Sequence, residues 1–164
     1  MTVEHAKDYD AMSAVGASIL FDEVMRKIAK GERFNLGLAT GNTMISLYDQ
    51  LAEKFNAARA DLSLLSTWNL DEYSADGKSA VPHDHPLSYW KYMHEMLFSK
   101  FDPALGFLGA NAHFPDPASP ETYDPAIAES YSSGEAGSGK CAFSSRKPSA
   151  GSNFENSFSC MYFQ

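Results

Sequence analysis

The stretch Phe34-Asn35-Leu36-Gly37-Leu38-Ala39-Thr40-Gly41-Asn42-Thr43, running on into Met44-Ile45-Ser46-Leu47-Tyr48, decides the fold. Residues 34 to 39 alternate and then become apolar, as a strand does, and Thr40-Gly41-Asn42-Thr43 cuts the run with small turn formers. From about Thr43, itself a suitable cap, Met44, Ile45, Leu47, Tyr48, Leu51, Ala52 and Phe55 recur at helical spacing. The unit is strand, glycine turn, helix. Upstream, Met12, Val15, Ile19, Leu20, Val24 and Ile28 predict a helix over about 11 to 30, with Gly31 as its stop. Downstream the unit repeats. Residues 62 to 70 read as a second strand, a polar loop runs through Pro86, and a helix follows over about 87 to 100 with Trp90, Met93, Leu97 and Phe101 on its apolar face. Strands separated by helices imply an α/β class with a Rossmann-like, doubly wound, mostly parallel sheet covered on both faces. The strands near 34 to 39 and 62 to 69 should be parallel neighbours, with Thr43 and Asp71 emerging at one sheet edge.

The 164 residues suffice for one compact domain with a core, without a disulfide or metal staple. A formal net charge of -8 opposes electrostatic attraction to nucleic acid or to an anionic membrane, and a small-molecule partner fits better. No apolar run reaches membrane-spanning length, and Met1 to Asp10 lacks the order of a secretory signal, so the expected compartment is cytoplasmic. Cys141 and Cys160 belong to no metal or redox motif. Residues 131 to 164 contain nine Ser and four Gly but no Leu, Ile or Val, which predicts a disordered tail distinct from a domain over 1 to 130.

In a parallel α/β sheet, ligands bind beyond the carboxyl ends of the strands. Two loops there could carry chemistry. Thr40, Gly41, Asn42 and Thr43 are small enough for backbone N–H groups to approach an anion at a helix start, which points to a phosphate. The loop fits neither GxxxxGK[ST] nor GxGxxG, so nucleotide binding loses its main support, and a plain turn with a helix cap fits the same residues. After the second strand comes Asp71-Glu72-Tyr73. Asp71 is placed to exchange a proton with a substrate carbon or hydroxyl, and the competing reading is a solvated turn acid. His83-Asp84-His85 lacks a third ligand at zinc spacing, so no metal is expected, and His5, His94 and His113 read as ordinary surface or helix-face residues.

Three ordered stretches resemble the glucosamine-6-phosphate deaminase family, with 6-phosphogluconolactonase as its distant relative. They are Leu36 to Thr43 with Ile45-Ser46-Leu47-Tyr48 behind it, Trp68-Asn69-Leu70-Asp71-Glu72-Tyr73, and His85-Pro86-Leu87-Ser88-Tyr89 leading into a helix. The resemblance covers about residues 6 to 130 and extends to Phe101-Asp102-Pro103 and to a strand edge and acidic helix within 111 to 128. It implies an enzyme that converts glucosamine 6-phosphate and water to fructose 6-phosphate and ammonia, with no cofactor. Gly41, Asn42 and Thr43 would hold the phosphate, supported by Thr40, Glu72 and Tyr73, and Asp71 would shuttle the proton between sugar C2 and C1. Homo-oligomers belong to the full-length family.

The chain also departs from that pattern. The family has a second glycine and then Thr-Pro where Asn42, Thr43 and Met44 stand, and its loop between Tyr73 and His85 is several residues shorter. Its Asp-Gly-His and Asn-Glu-Pro segment, which supplies ring-opening acid and base, does not occur after Ser130. The expectation is therefore a C-terminally truncated domain, its reading frame lost near residue 130, inactive as a deaminase. A lactonase of the same superfamily is the alternative enzyme, disfavoured because lactonases have Arg after Asp-Glu and Ser-Asn in place of Ser88-Tyr89. A non-catalytic sugar-phosphate binding module is the other alternative.

Overall fold

The computed structural model describes residues 6–132. Helix α1 spans Tyr9–Ile28. It begins earlier than the apolar spacing implies because Asp8 caps it, its carboxylate accepting from the Ala11 N–H at 2.8 Å. It ends where Lys30 and Gly31 N–H groups turn back onto Lys27 and Ile28 carbonyls, Gly31 taking the left-handed φ of 72° that favours glycine. Strand β1 is Phe34–Leu38 and helix α2 is Ile45–Ala58. Tyr48, Leu51, Ala52 and Phe55, at helical spacing on α2, are all buried.

Strand β2, Leu65–Asn69, is shorter than expected. Leu62 and Leu65 instead close a turn (Leu65 N–H to Leu62 carbonyl, 3.0 Å) and the Leu62 N–H bonds the Leu105 carbonyl, so bonding to β1 begins only at Leu64, whose carbonyl accepts from the Phe34 N–H at 3.0 Å. Helix α3 occupies only Tyr89–Met96 of the span predicted for it. Ser88 caps it, its hydroxyl accepting from the Lys91 N–H, and the backbone departs from helical angles at Leu97 before a short 3-10 turn over Phe98–Lys100. Strand β3 is Ala112–His113 and helix α4 is Tyr123–Ser132. The tail expected from residue 131, with both cysteines, falls almost wholly outside the described residues. No helix among the described residues is long and apolar enough to cross a membrane.

All three strands are parallel, in the order β1-β2-β3. The expected neighbour pairing is therefore present, running from Phe34 opposite Leu65 to Leu38 opposite Asn69. Because successive residues of a strand point to opposite faces, the sheet has two differently built sides. Phe34, Leu36, Leu38 and Leu65 join Ala17 and Val24 of α1, Tyr48, Leu51 and Phe55 of α2, and Met93 of α3 in one core. Phe55 is fully buried between Phe21 and Phe101, with ring centroids at 5.5 and 6.0 Å. Met12, assigned to the core face of α1 from its spacing, is exposed, and Ser13 is buried instead.

The second face presents Asn35, Gly37, Ser66 and Trp68, and polar and aromatic contacts to α4 hold its cover. The Trp68 indole N–H donates to Asn35 Oδ1 at 3.1 Å, and Ser130 of α4 donates its hydroxyl to the same oxygen at 2.8 Å. The Asn35 amide returns a bond to the Ser130 carbonyl at 3.1 Å. The Trp68 ring stacks on His113 at 4.0 Å and meets Tyr123 at 5.6 Å. The Tyr123 hydroxyl proton is shared between the carbonyls of Asn69 and His113, so α4 is tied to the ends of two strands.

Two outcomes follow from this packing. Truncating Phe55→Ala should cost about 3–5 kcal/mol in urea unfolding, the range for a buried aromatic that leaves a cavity. His113, expected to be an ordinary surface or helix-face residue, is instead half-buried in a strand, and burial, aided by the charge of Arg33, lowers its pKa below 6.5. The unfolded chain then takes up the proton first as pH falls below 6.5, so native stability declines from there down through the lowered value. His113→Gln should remove that part of the pH dependence, measured as the difference between the two stability profiles.

Candidate functional site

Parallel pairing of β1 and β2 places their carboxyl ends side by side, and the two predicted loops leave from those ends. The first loop turns at Gly41, with φ 137° and ψ 155°, a conformation L side chains rarely adopt. A Cβ there would meet nothing closer than Thr43 Oγ1 at 4.0 Å, so the backbone angles, not space, require glycine. Asn42–Met44 then form a 3-10 turn that hands over to α2 at Ile45. Thr43 is not the helix cap expected from the sequence. The capping positions are Gly41 for the 3-10 turn and Met44 for α2, and neither makes a side-chain cap bond. The turn's carbonyls are held from behind: Ala39 accepts from Tyr48 at 2.5 Å, Gly41 from Tyr92 at 2.8 Å and Asn42 from Tyr9 at 3.1 Å.

At the end of β2, Asp71 and Glu72 are adjacent carboxylates with different surroundings. Glu72 accepts from the N–H groups of Tyr89 (2.8 Å), Trp90 (2.9 Å) and Tyr73 (2.8 Å), and from the Ser88 hydroxyl at 3.2 Å. It therefore caps α3, whose first-turn donors need an acceptor and whose dipole favours a negative charge there. Asp71 accepts no such set. It reaches solvent, yet the protein atoms around it and then the charge of Glu72 raise its pKa above the ordinary carboxylate value.

The two loops meet through Tyr89. Hydrogen bonding to Tyr73 and burial raise the Tyr89 phenol, a bond with Thr40 opposes this, and the charge of Asp71 adds to it. Its ring packs against Tyr73 at 4.9 Å. Thr40, Asp71, Tyr73 and Tyr89 thus form one cluster beside the Gly41 turn. Asn69, 1% exposed and opposite Leu38, has neither side-chain amide atom bonded among the described residues.

The remaining predicted features serve local structure. His83 stacks on Trp90 at 4.0 Å and His85 Nδ1 accepts from the Leu87 N–H at 3.2 Å. The long loop after Tyr73 closes on itself through a Ser74–Ala80 bridge around Asp76, whose carboxylate, bonded by Lys78 and Ser79 N–H groups, is held down at about 2. A cavity of about 290 Å³ lies between this loop, α3 and the residues after β3, walled by Glu72, His83, Trp90, Phe114 and Asp116 but by none of Gly41, Asn42, Thr43 or Asp71. The sequence reading missed Tyr9, Tyr92 and Asn69. Nothing in one sequence marks a helix tyrosine as bonded to a distant loop.

No family model matches the chain. Among curated relatives, glucosamine-6-phosphate deaminase 2 of Bacillus subtilis (strain 168) is 37% identical over 98 residues, 60% of this chain and 36% of the relative. The glucosamine-6-phosphate deaminase of Staphylococcus aureus (strain JH9) is 39% identical over 94 residues, 57% of this chain and 34% of the relative. The matches thus span about a third of the relatives' length. Among solved structures, a monomeric glucosamine-6-phosphate deaminase described as a missing link of the NagB superfamily superposes with a TM-score of 0.65 over 82% of this chain and 53% of that one, at 24% identity. A 6-phosphogluconolactonase from Leishmania guyanensis gives 0.52 over 71% of this chain and 39% of that one, at 18% identity, and shares the fold. Across the matched residues, this chain is similar in sequence to these glucosamine-6-phosphate deaminases, and it shares the α/β fold of the solved deaminase structure.

Proposed function

We propose that the Gly41 turn and Asp71 are the phosphate-holding and proton-shuttling parts of a site for glucosamine 6-phosphate. The observation that supports this most is the meeting of Thr40, Asp71, Tyr73 and Tyr89 at the carboxyl ends of two neighbouring parallel strands. A phosphate bound by the amides of Asn42 and Thr43 would leave the sugar extending toward β2, where Asp71 stands. A base must be free to accept a proton and gains from a pKa lifted toward working pH: the Asp71 pKa is raised by desolvation and then by the charge of Glu72, whereas the Glu72 carboxylate is occupied by the N–H groups of Tyr89 and Trp90. Asp71 takes the proton from C2 of the open-chain sugar and returns it to C1. Asn69, buried and unbonded at the same strand end, supplies a further polar group for a ligand to satisfy. On this reading the substrate is a phosphorylated amino sugar, no cofactor takes part, and the compartment is the cytoplasm.

Opening of the sugar ring and departure of ammonia need an acid and a base on the other side of the sugar. The family resemblance places these in the Asp-Gly-His and Asn-Glu-Pro segment, which the 164 residues do not contain. The chain as given should therefore bind sugar phosphates without releasing fructose 6-phosphate. A coupled assay beside Asp71→Asn tests this. Turnover abolished by the substitution would show a complete catalyst and overturn the inactivity, whereas failure of the chain to bind glucosamine 6-phosphate would overturn the site.

The raised pKa of Asp71 has a stability consequence. A carboxyl group whose folded value lies above its unfolded value of 3.8 disfavours the fold once ionised, and that penalty is complete above the folded value. Asp71→Asn should accordingly leave the thermal midpoint at pH 7 equal or higher, while the same substitution at Glu72, which caps α3, should lower it.

A further inference from the structure

We infer that Tyr9, Tyr48 and Tyr92 are positioning residues that aim the amides of the Gly41 turn at the ligand's phosphate; this rests on the phosphate reading of the turn. The three phenols come from three different places in the chain, the first turn of α1, the buried face of α2 and the middle of α3. They converge on three carbonyls within four residues: Tyr48 on Ala39, Tyr92 on Gly41 and Tyr9 on Asn42. Each planar trans peptide carries its N–H opposite its C=O. Fixing those carbonyls toward the helices therefore turns the N–H groups of Thr40, Asn42 and Thr43 away from them.

The arrangement has an electrostatic sense that a merely packed turn would lack. A carbonyl oxygen near a phosphate repels it and an N–H attracts it, so a peptide free to rotate offers either end. Tethering removes the repulsive orientation before the ligand arrives, and preorganised dipoles bind without a reorganisation cost. Gly41 makes the tether necessary, because a residue at φ 137° has little local preference to hold it. Gly41's carbonyl is also bonded by the Met44 N–H at 3.0 Å, so both of its lone pairs are engaged. Tyr9 does a second thing: its oxygen accepts the Ser46 N–H at 3.2 Å while its proton goes to Asn42, linking the first turn of α2 to the peptide that precedes Thr43.

The test compares the full chain with Tyr9→Phe, Tyr48→Phe and Tyr92→Phe. Each substitution keeps the ring and removes the proton donor. Inorganic phosphate and glucosamine 6-phosphate are titrated calorimetrically, glucosamine serves as the phosphate-free control, and amide NMR shifts of Asn42 and Thr43 follow the turn itself. Each variant should bind both phosphates about fivefold more weakly, the effect of one lost hydrogen bond, with altered Asn42 and Thr43 shifts and an unchanged response to glucosamine. Tyr9 is 42% exposed, so its variant remains folded and carries the test even where Tyr48→Phe does not fold. Failure of the unsubstituted chain to bind either phosphate would sink the phosphate reading together with this inference. Phosphate binding by the unsubstituted chain that is matched by the folded variants would overturn the inference alone.

Discussion

The parallel ladder between Phe34–Leu38 and Leu65–Asn69 is the constraint on which the candidate site depends. Parallel strands need a crossover, and α2 supplies it; the same pairing sends both following loops out at one edge. Had β2 paired antiparallel, Thr40 and Asp71 would leave at opposite ends of the sheet and Tyr89 could not lie near both. The ladder is short, and its two faces secure it by different means. One is buried by aliphatic and aromatic side chains of α1, α2 and α3. The other is fixed by directional bonds among Asn35, Trp68 and Ser130, which specify where α4 lies as apolar contacts alone would not.

Asp71 and Glu72 show how one dipeptide divides two tasks. Successive side chains leaving a strand end point in different directions, so neighbours in sequence enter different environments. Glu72 is drawn to the start of α3, where several donors stabilise its charge. Asp71 is left partly desolvated beside a neighbouring negative charge, and both raise its pKa. A carboxylate that caps a helix and one left without such donors thus stand side by side, and the charge of the first adds to the effect of desolvation in raising the pKa of the second.

The fold class, both strands, the crossover helix and the shared sheet edge were legible in the sequence, because strand-turn-helix units repeat and apolar residues keep their period. Element ends were less legible. Leu62 has the apolar character of a strand residue but is taken by a turn with Leu65 and a bond to the Leu105 carbonyl, and Thr43 has the composition of a cap but sits inside a 3-10 turn. Both depend on contacts distant in sequence. At the candidate site, residue type and position singled out Gly41 as a turn glycine and Asp71 as a strand-end acid, and Glu72 only as a supporting residue whose role as the cap of α3 needed the packing of α3. Tyr9 and Tyr92 carried no local signal at all, since their partners lie 33 and 51 residues away.

The departure of Asn42-Thr43-Met44 from the glycine, threonine and proline that the family resemblance leads one to expect acquires a meaning from the tyrosine bonds. Glycine and proline shape a turn through their own backbone preferences, whereas here α1, α2 and α3 impose its shape from outside. Such a turn is released from local conformational rules everywhere except at Gly41, and its other residues need not themselves favour its outline. The freedom carries a matching dependence: the turn acquires its form only when all three helices are docked, which makes assembly of the domain and shaping of the Gly41 turn a single cooperative event.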